Sequence, residues 1–371
     1  MRDKKSLLYL LIISTFILAI MTIVISAQTM PDNAAKSFAL YNPDTKSFVF
    51  GKDINRRLPM ASTTKIITAL IALEELDKSE MITVPSEAVG IEGSSLYLSS
   101  GDLISAEDLI YGVLLQSAND AATVLALRIG DSIDNFSQIM NERAASIGAY
   151  NTNFENPHGL DSENHYTTAH DLALISAEAI KNEDFKKISS TYKRTIKING
   201  KDRVVVNHNK LLKTYNGCVG VKTGYTKRCG RCLVSAAERD NITLIAVTLN
   251  DPNDWRTHSN MLDNGFEIFK AIYVSDLVSI PEELPIINGN KDNIKIGINS
   301  TENRIIAKKD GEVTVKDITL RQYIVGKINI GDTVGTITVE IDDLVKTINI
   351  IALESSDTTS RREHLWKKWS K

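Results

Sequence analysis

Three short stretches of this chain hold side chains that could together carry nucleophilic catalysis. Ser62-Thr63-Thr64-Lys65 places a hydroxyl and an amine three residues apart. On a helix, positions i and i+3 share a face, so Lys65 stands one turn from Ser62 and can reach its hydroxyl. A serine becomes a nucleophile beside a base. A lysine is a base only if its ammonium gives up a proton near neutral pH, and burial and a neighbouring cation both push it that way. Lys222, in Lys222-Thr223-Gly224, can supply that cation and can also hold a substrate carboxylate, while Gly224 lets the backbone approach a ligand closely. In Ser117-Ala118-Asn119 the serine can relay a proton and the asparagine can hold a substrate amide. Each stretch alone also has an ordinary reading: a serine cap with a solvated lysine, a Ser or Asn helix cap, a β-turn. Their order and their placement on predicted elements favour the chemical reading.

The elements that must position them follow from periodicity. Ser37–Tyr41 and Ser47–Phe50 read as a hairpin about Asn42-Pro43-Asp44. Ser62 to Leu76 reads as a helix, with Ile66, Ile67, Leu70, Ile71 and Leu73 at helical spacing and Ser62 or Thr63 suited to its start. Further helices are expected at Ala106–Leu115 and Asn119–Ile129, so that Ser117-Ala118-Asn119 falls in the break between them. Phe136–Ser146 and Thr168–Asn182 also read as helices. Short strands follow around Asn199-Gly200, then longer ones at Cys218–Thr223, Arg231–Ala237 and Ile242–Leu249, with Asn260–Tyr273 expected as a helix. This order predicts an α+β, three-layer domain whose sheet draws strands from both ends of the chain. Pro281-Glu282-Glu283-Leu284-Pro285 reads as a boundary. The β-like segments Ile294–Ile298, Arg304–Ala307, Val313–Ile318, Thr333–Ile341 and Val345–Ala352 beyond it make a small all-β domain.

Composition narrows the class. A net charge of -3 over 371 residues gives no basic surface for nucleic acid. The six histidines include no HExxH or similar pair, and neither a metal nor a cofactor is expected. Met1-Arg2-Asp3-Lys4-Lys5 is a short basic start, followed by an uncharged apolar run from Leu7 to Ile25 and a small-residue end at Ser26-Ala27. Residues 1–27 are therefore expected to be a signal peptide or a membrane anchor, with the remainder exported. The polar tail, residues 354–371, ends near Leu365-Trp366-Lys367-Lys368-Trp369, which suits a membrane interface. Cys218, Cys229 and Cys232 are an odd number for a disulfide framework. Cys229-Gly230-Arg231-Cys232 could be redox-active or half a zinc site, and local packing is the reading favoured over both.

Beyond the three motifs, the blocks Leu58-Pro59-Met60-Ala61-Ser62-Thr63-Thr64-Lys65, Leu115-Gln116-Ser117-Ala118-Asn119-Asp120-Ala121-Ala122, His158-Gly159-Leu160-Asp161 and Gly220-Val221-Lys222-Thr223-Gly224-Tyr225-Thr226 resemble the low-molecular-mass penicillin-binding D-alanyl-D-alanine carboxypeptidases. The resemblance runs from about residue 34 to 270. The segment from about 280 to 352 resembles that family's accessory domain, less specifically. The resemblance implies a three-layer α/β/α, β-lactamase-like domain with an antiparallel sheet over residues 34–274, then an accessory β domain over 280–353. It implies that Ser62 is acylated, with Lys65 as its base and Ser117 also catalytic. Ser117 and Asn119 would line the cleft, and Lys222 and Thr223, next to Gly224, would bind the substrate's terminal carboxylate. The oxyanion hole would be the backbone N–H groups of Ser62 and Tyr225. The partners implied are a peptidoglycan peptide ending in D-Ala-D-Ala, β-lactams as covalent inhibitors, and the membrane. An arginine beyond the last sheet strand assists carboxylate binding in some members, and Arg256 is the candidate here. His158 to Asp161 reads as a structural turn.

Rival functions differ in specific residues. A class A β-lactamase needs a glutamate in an ExxLN-like setting between the second and third motifs, and Glu142, Glu155, Glu163, Glu178 and Glu183 lack that setting. A catalytically idle wall-binding protein has no need of intact Ser62, Lys65 and Lys222. A D,D-endopeptidase would share the chemistry.

Overall fold

The computed structural model describes residues 34–341 and 344–358. The apolar run Leu7–Ile25 and the Trp366/Trp369 segment lie outside the described residues.

The chain opens with a hairpin, β1 (Ser37–Asn42) and β2 (Ser47–Lys52), as its alternating residues predict. One 3-10 turn, Ala61–Thr64, leads into α1 (Lys65–Glu75). Lys65 through Ala72 are all buried in α1, on every face. A helix that is apolar all round belongs in the interior, and this composition is what carries Lys65 into the core. Two short strands, β3 (Met81–Thr83) and β4 (Leu103–Ser105), precede α2 (Ala106–Tyr111). A π turn over Gly112–Gln116 then ends at Ser117, and α3 (Asn119–Gly130) begins two residues later. Helices α4 (Ile133–Ile147), α5 (Ala169–Lys181) and α6 (Glu183–Ser190) complete this layer. The hairpin β5 (Lys193–Ile198) and β6 (Lys201–Val206) pairs with β4, and α7 (Leu211–Thr214) leads into the main sheet.

That sheet is finished by β7 (Cys218–Thr226), β8 (Gly230–Arg239) and β9 (Ile242–Leu249), in the order β2-β1-β9-β8-β7, antiparallel throughout. Strands β8 and β9 are buried on both faces, and their side chains alternate between two cores. Val234, Ala236, Ile245 and Val247 face α1 and the other helices, while Leu233, Leu244 and Ala246 face α8 (Asp254–Ile268). Gly265 of α8 fits because a Cβ there would lie 2.5 Å from Leu40 and 2.6 Å from Leu244. The result is the three-layer α/β/α arrangement, with its first hairpin recruited from the start of the described chain.

One expected element changes type. The helix expected over Asn260–Tyr273 stops at Ile268, and Phe269–Tyr273 becomes a strand, β10. Its partner is Arg304–Lys308, 31 residues downstream of Tyr273 at the nearest pair (Tyr273↔Arg304), so a long-range pairing overrides the local helical pattern. The remaining strands lie between Glu283 and Ala352 and enclose a third core that includes Leu284, Ile294, Val334, Ile337 and Ile350. Arg304 joins this part of the chain to the first hairpin through an ion pair with Asp44, 2.6 Å.

Candidate active site

Ser62 sits in the 3-10 turn before α1, and its side chain caps neither that turn nor the helix. The residue before it, Ala61, holds a positive φ of 48°, a conformation that costs free energy and that surrounding contacts must hold. Those contacts come from Gly159. Its φ is +85°, and a Cβ there would fall 1.9 Å from the Ala61 carbonyl oxygen. The 158–161 turn thus presses backbone against the residue that aims Ser62.

Lys65 Nζ lies 3.1 Å from Ser62 Oγ and donates to Asn119 Oδ1 at 2.6 Å and to the His158 carbonyl at 2.5 Å. Lys65 has no exposed surface. Burial holds its pKa well below the lysine range, the positive charge of Lys222 lowers it further, and Asp120 opposes both. A neutral amine has two protons and one lone pair. Lys65 Nζ donates to three acceptors, Ser62 Oγ among them; once it loses a proton, Asn119 and His158 can keep the remaining two and the lone pair can turn to Ser62. The solvated-lysine reading is excluded, and the constellation has the geometry of a serine with its base.

Asn119 is held from both ends: its Nδ2 donates to the Glu92 carbonyl at 2.5 Å and its backbone N–H to Ser94 O at 2.7 Å. Neither Ser117 nor Asn119 is the N-cap of α3, a position that Ala118 occupies, while Ser117 closes the preceding π turn as its C-cap. Ser117 is buried at the end of the π turn, in the left-handed region at φ 61°. Asp120 fastens the neighbouring loop. Its carboxylate accepts from Ser95 Oγ at 2.7 Å and from the backbone N–H groups of Leu96 and Leu98, both at 3.0 Å.

Lys222-Thr223-Gly224 lies within β7, two residues short of its end, and forms no β-turn. Lys222 is buried and donates to the Thr223 carbonyl at 3.0 Å; burial lowers its pKa to about 7. Thr223 is half-buried, and Tyr225 is 66% exposed. A Cβ at Gly224 would lie 3.1 Å from Ser62 N and 3.0 Å from Met60 O. The missing side chain is therefore what leaves the Ser62 N–H open to a ligand. Arg256 is exposed on α8, the helix that packs on the other face of the sheet.

The structure thus gathers Ser62, Lys65, Asn119 and Gly224 at one place and sets Lys222 close enough to bias Lys65. Sequence reasoning missed the His158 carbonyl, the Asp120 clamp and His165. The last donates from Nε2 to Thr64 Oγ1 (2.7 Å) while its Nδ1 accepts from Glu155 N (3.0 Å), and Thr64 in turn donates to Ala61 O at 2.8 Å. Burial takes the His165 pKa down to about 4, so the ring is neutral and serves as a rigid strut. The half-buried side chain of His158 is likewise neutral, with desolvation and the nearby Lys65 taking its pKa to about 3. Position 158 contributes its backbone, for which side-chain identity is no signal. Gly159 next to it was the available clue.

A sequence-family model described as D-alanyl-D-alanine carboxypeptidase matches residues 24–253. The chain is 31% identical to D-alanyl-D-alanine carboxypeptidase DacF of Bacillus subtilis over 83% of this chain and 82% of that protein. With DacA of Haemophilus influenzae it shares 29% identity over 85% of this chain and 83% of that one. Among solved structures, penicillin binding protein 5 from Haemophilus influenzae superposes with a TM-score of 0.65 at 27% identity, covering 89% of this chain and 99% of that one. A serine-to-alanine mutant of the Streptomyces K15 DD-transpeptidase gives a TM-score of 0.61 at 30% identity, over 64% of this chain and 99% of that one.

Proposed function

The chain belongs to the D-alanyl-D-alanine carboxypeptidase family, and on that footing we propose that Ser62 is its acylated nucleophile, Lys65 the general base and Ser117 a proton relay. The protein is a serine-type carboxypeptidase that removes the terminal D-alanine from peptidoglycan peptides ending in D-Ala-D-Ala, and it binds penicillin. As Oγ of Ser62 attacks the carbonyl of the last peptide bond, its proton passes to Lys65 Nζ. The oxyanion of the tetrahedral intermediate faces the N–H groups of Ser62 and Tyr225. Each such donor is worth about 3 kcal/mol. The Lys65 proton, relayed by Ser117, leaves with the D-alanine amine, and water then releases the shortened peptide. Lys222 and Thr223 hold the terminal carboxylate, Asn119 the substrate amide. A β-lactam ring amide meets the same hydroxyl and is opened onto it.

The observation that supports this reading is the buried Lys65, whose Nζ lies 3.1 Å from Ser62 Oγ while Asn119 and the His158 carbonyl can hold the two protons of the neutral amine. D-alanine release from a wall pentapeptide tests it. The native protein should release one D-alanine per peptide, and Ser62→Ala should release none while binding the peptide.

We assign residues 34–274 to the catalytic domain and 280–353 to a β-rich accessory domain. The separate core of the later strands supports this division, as does the match to the whole K15 enzyme over only 64% of this chain. The family acts on the cell wall, outside the cytoplasm. Association with the membrane is supported by the basic start, the apolar Leu7–Ile25 and the Trp/Lys end of the sequence. Among the described residues, no helix is long and apolar enough to cross a membrane. N-terminal sequencing of the native protein should find a new start after Ala27, which leaves the Trp/Lys end as the membrane contact, whereas an uncut start would make Leu7–Ile25 the anchor. Full-length protein in the cytosol would refute export.

A further inference from the structure

The CxxC pair is the motif that acyl transfer leaves unused. Cys229 sits in the β7–β8 turn and Cys232 at the start of β8, where it pairs with Gly224. Both side chains point into the core on the helical face of the sheet, Cys229 Sγ donating to the Gly230 carbonyl at 3.2 Å and Cys232 Sγ to the Pro59 carbonyl at 3.9 Å. Among the described residues no further His, Cys, Asp or Glu joins them in a metal-binding group. We infer that Cys229 and Cys232 are a reversible dithiol–disulfide pair, closed by peroxide-class oxidants, whose closure slows acylation at Ser62.

Three observations support reactivity and coupling. Cys229 is the nucleophilic partner: hydrogen bonds from Cys232 and then Thr226 bring its pKa down to about 7, against burial. Burial instead pushes the Cys218 thiol up to about 11. Thiolate character selects the site of oxidation. Cys229 is buried beneath the surface of the β7–β8 turn, 1% exposed, while Lys227 and Arg228 above it are exposed, so an oxidant reaches it when the turn opens. The Thr226 hydroxyl lies 3.2 Å from Cys229 Sγ and 3.0 Å from Asp161 Oδ1, one proton between two acceptors. Asp161 belongs to the turn that supplies the His158 carbonyl to Lys65 and presses Gly159 on Ala61. Gly224, the β-partner of Cys232, lies beside Ser62 N, which an added Cβ would approach to 3.1 Å. Drawing the two sulfurs together therefore moves both walls around the nucleophile.

The chemistry balances in two steps. The Cys229 thiolate attacks one peroxide oxygen and becomes a sulfenic acid, and the departing hydroxide takes up the proton that the thiol had released to form water. The Cys232 sulfur then attacks Cys229 Sγ. The S–S bond forms, the sulfenic hydroxyl leaves with the Cys232 proton as water, and the pair has given two electrons to the peroxide. A dithiol reductant reverses it by exchange.

The effect on rate rests on Ser62 being the nucleophile, so the test reads mass and acylation separately. Full-length protein is reduced, treated with hydrogen peroxide, and analysed intact and after digestion without reductant. The mass should fall by two hydrogens, mapped to a Cys229–Cys232 link with Cys218 free. The second-order rate of acylation by a fluorescent penicillin should fall about three- to thirtyfold, as small misplacements in an active site do. Dithiothreitol should restore both. Cys229→Ser should acylate within about threefold of the reduced protein and ignore peroxide. Oxygen addition to Cys229 without a link overturns the proposal, and so does linked protein that acylates at the reduced rate. Reduced wild-type protein that fails to acylate at all counts against Ser62 instead and leaves the mass result to judge the pair.

Discussion

Lys65→Arg should fold and yet lose acylation by about 100- to 10,000-fold, with penicillin and with a D-Ala-D-Ala peptide alike. Arginine keeps the charge and much of the length but cannot be deprotonated in a protein. The variant therefore retains everything an electrostatic role for Lys65 would require and removes only its lone pair. Lys222→Arg makes the contrast. Its proposed work is to hold a carboxylate, so a substituted cation should keep part of the activity and weaken substrate binding. The pH profile follows the same logic. Acylation should rise with pH as Lys65 loses its proton, since only the neutral amine can take the proton of Ser62, and its depressed pKa puts that limb below the ordinary lysine range. It should fall again as Lys222 loses its charge, near pH 7 in the free protein. A substrate carboxylate on Lys222 favours its charged form and moves this second limb upward. Acylation rates with circular dichroism on each variant decide the matter. A folded Lys65→Arg protein that acylates at the native rate would remove Lys65 from the role of base.

Gly159→Ala should cost as much activity with no change in any side chain of the site. The new Cβ meets Ala61 O at 1.9 Å and Thr64 Oγ1 at 2.8 Å, at a φ of +85° that alanine resists. Backbone must move, and the backbone in question aims Ser62 and delivers the His158 carbonyl to Lys65. A displacement near 1 Å in an active site costs on the order of 100-fold, and the strain destabilises the fold by about 2 kcal/mol or more. Gly200→Ala is the matched control, because Gly200 also has a positive φ but nothing within 4 Å of its Cβ position. It should lose about 1 kcal/mol and acylate normally. Acylation rate and thermal midpoint, measured on both variants, separate the effects. Equal losses at 159 and 200 would show that the turn has no special hold on the nucleophile.

The sequence made legible what depends on local pattern. Ser62 and Lys65 could be placed one turn apart because Ile66, Ile67, Leu70, Ile71 and Leu73 recur at helical spacing, whereas the burial of Lys65 through Ala72 on every face of α1 was not readable from that spacing. The strands Cys218–Thr223, Arg231–Ala237 and Ile242–Leu249 were readable from β-branched runs, and the structure extends each by a few residues at most. What escaped depends on distant partners. Phe269–Tyr273 pairs with Arg304–Lys308, and its helix-compatible local pattern conceals this. The eight residues of α6 bury only Phe185, Ile188 and Ser189, too few to register as a period. Backbone groups escaped most completely. The carbonyls of His158 and Glu92 fix Lys65 and Asn119, and a carbonyl is the same in every residue. The Asp120 clamp was readable in kind, as an acid beside Asn119, but its partners lie 22 to 25 residues away.

The central claim is that Ser62 becomes covalently acylated, and mass spectrometry after incubation with penicillin addresses it directly. The intact protein should gain one penicillin equivalent. Digestion should place the adduct on the peptide carrying Ser62, and Lys65→Arg should leave that peptide almost unmodified over the same interval. An adduct on any other residue, or none on folded native protein, would contradict the account.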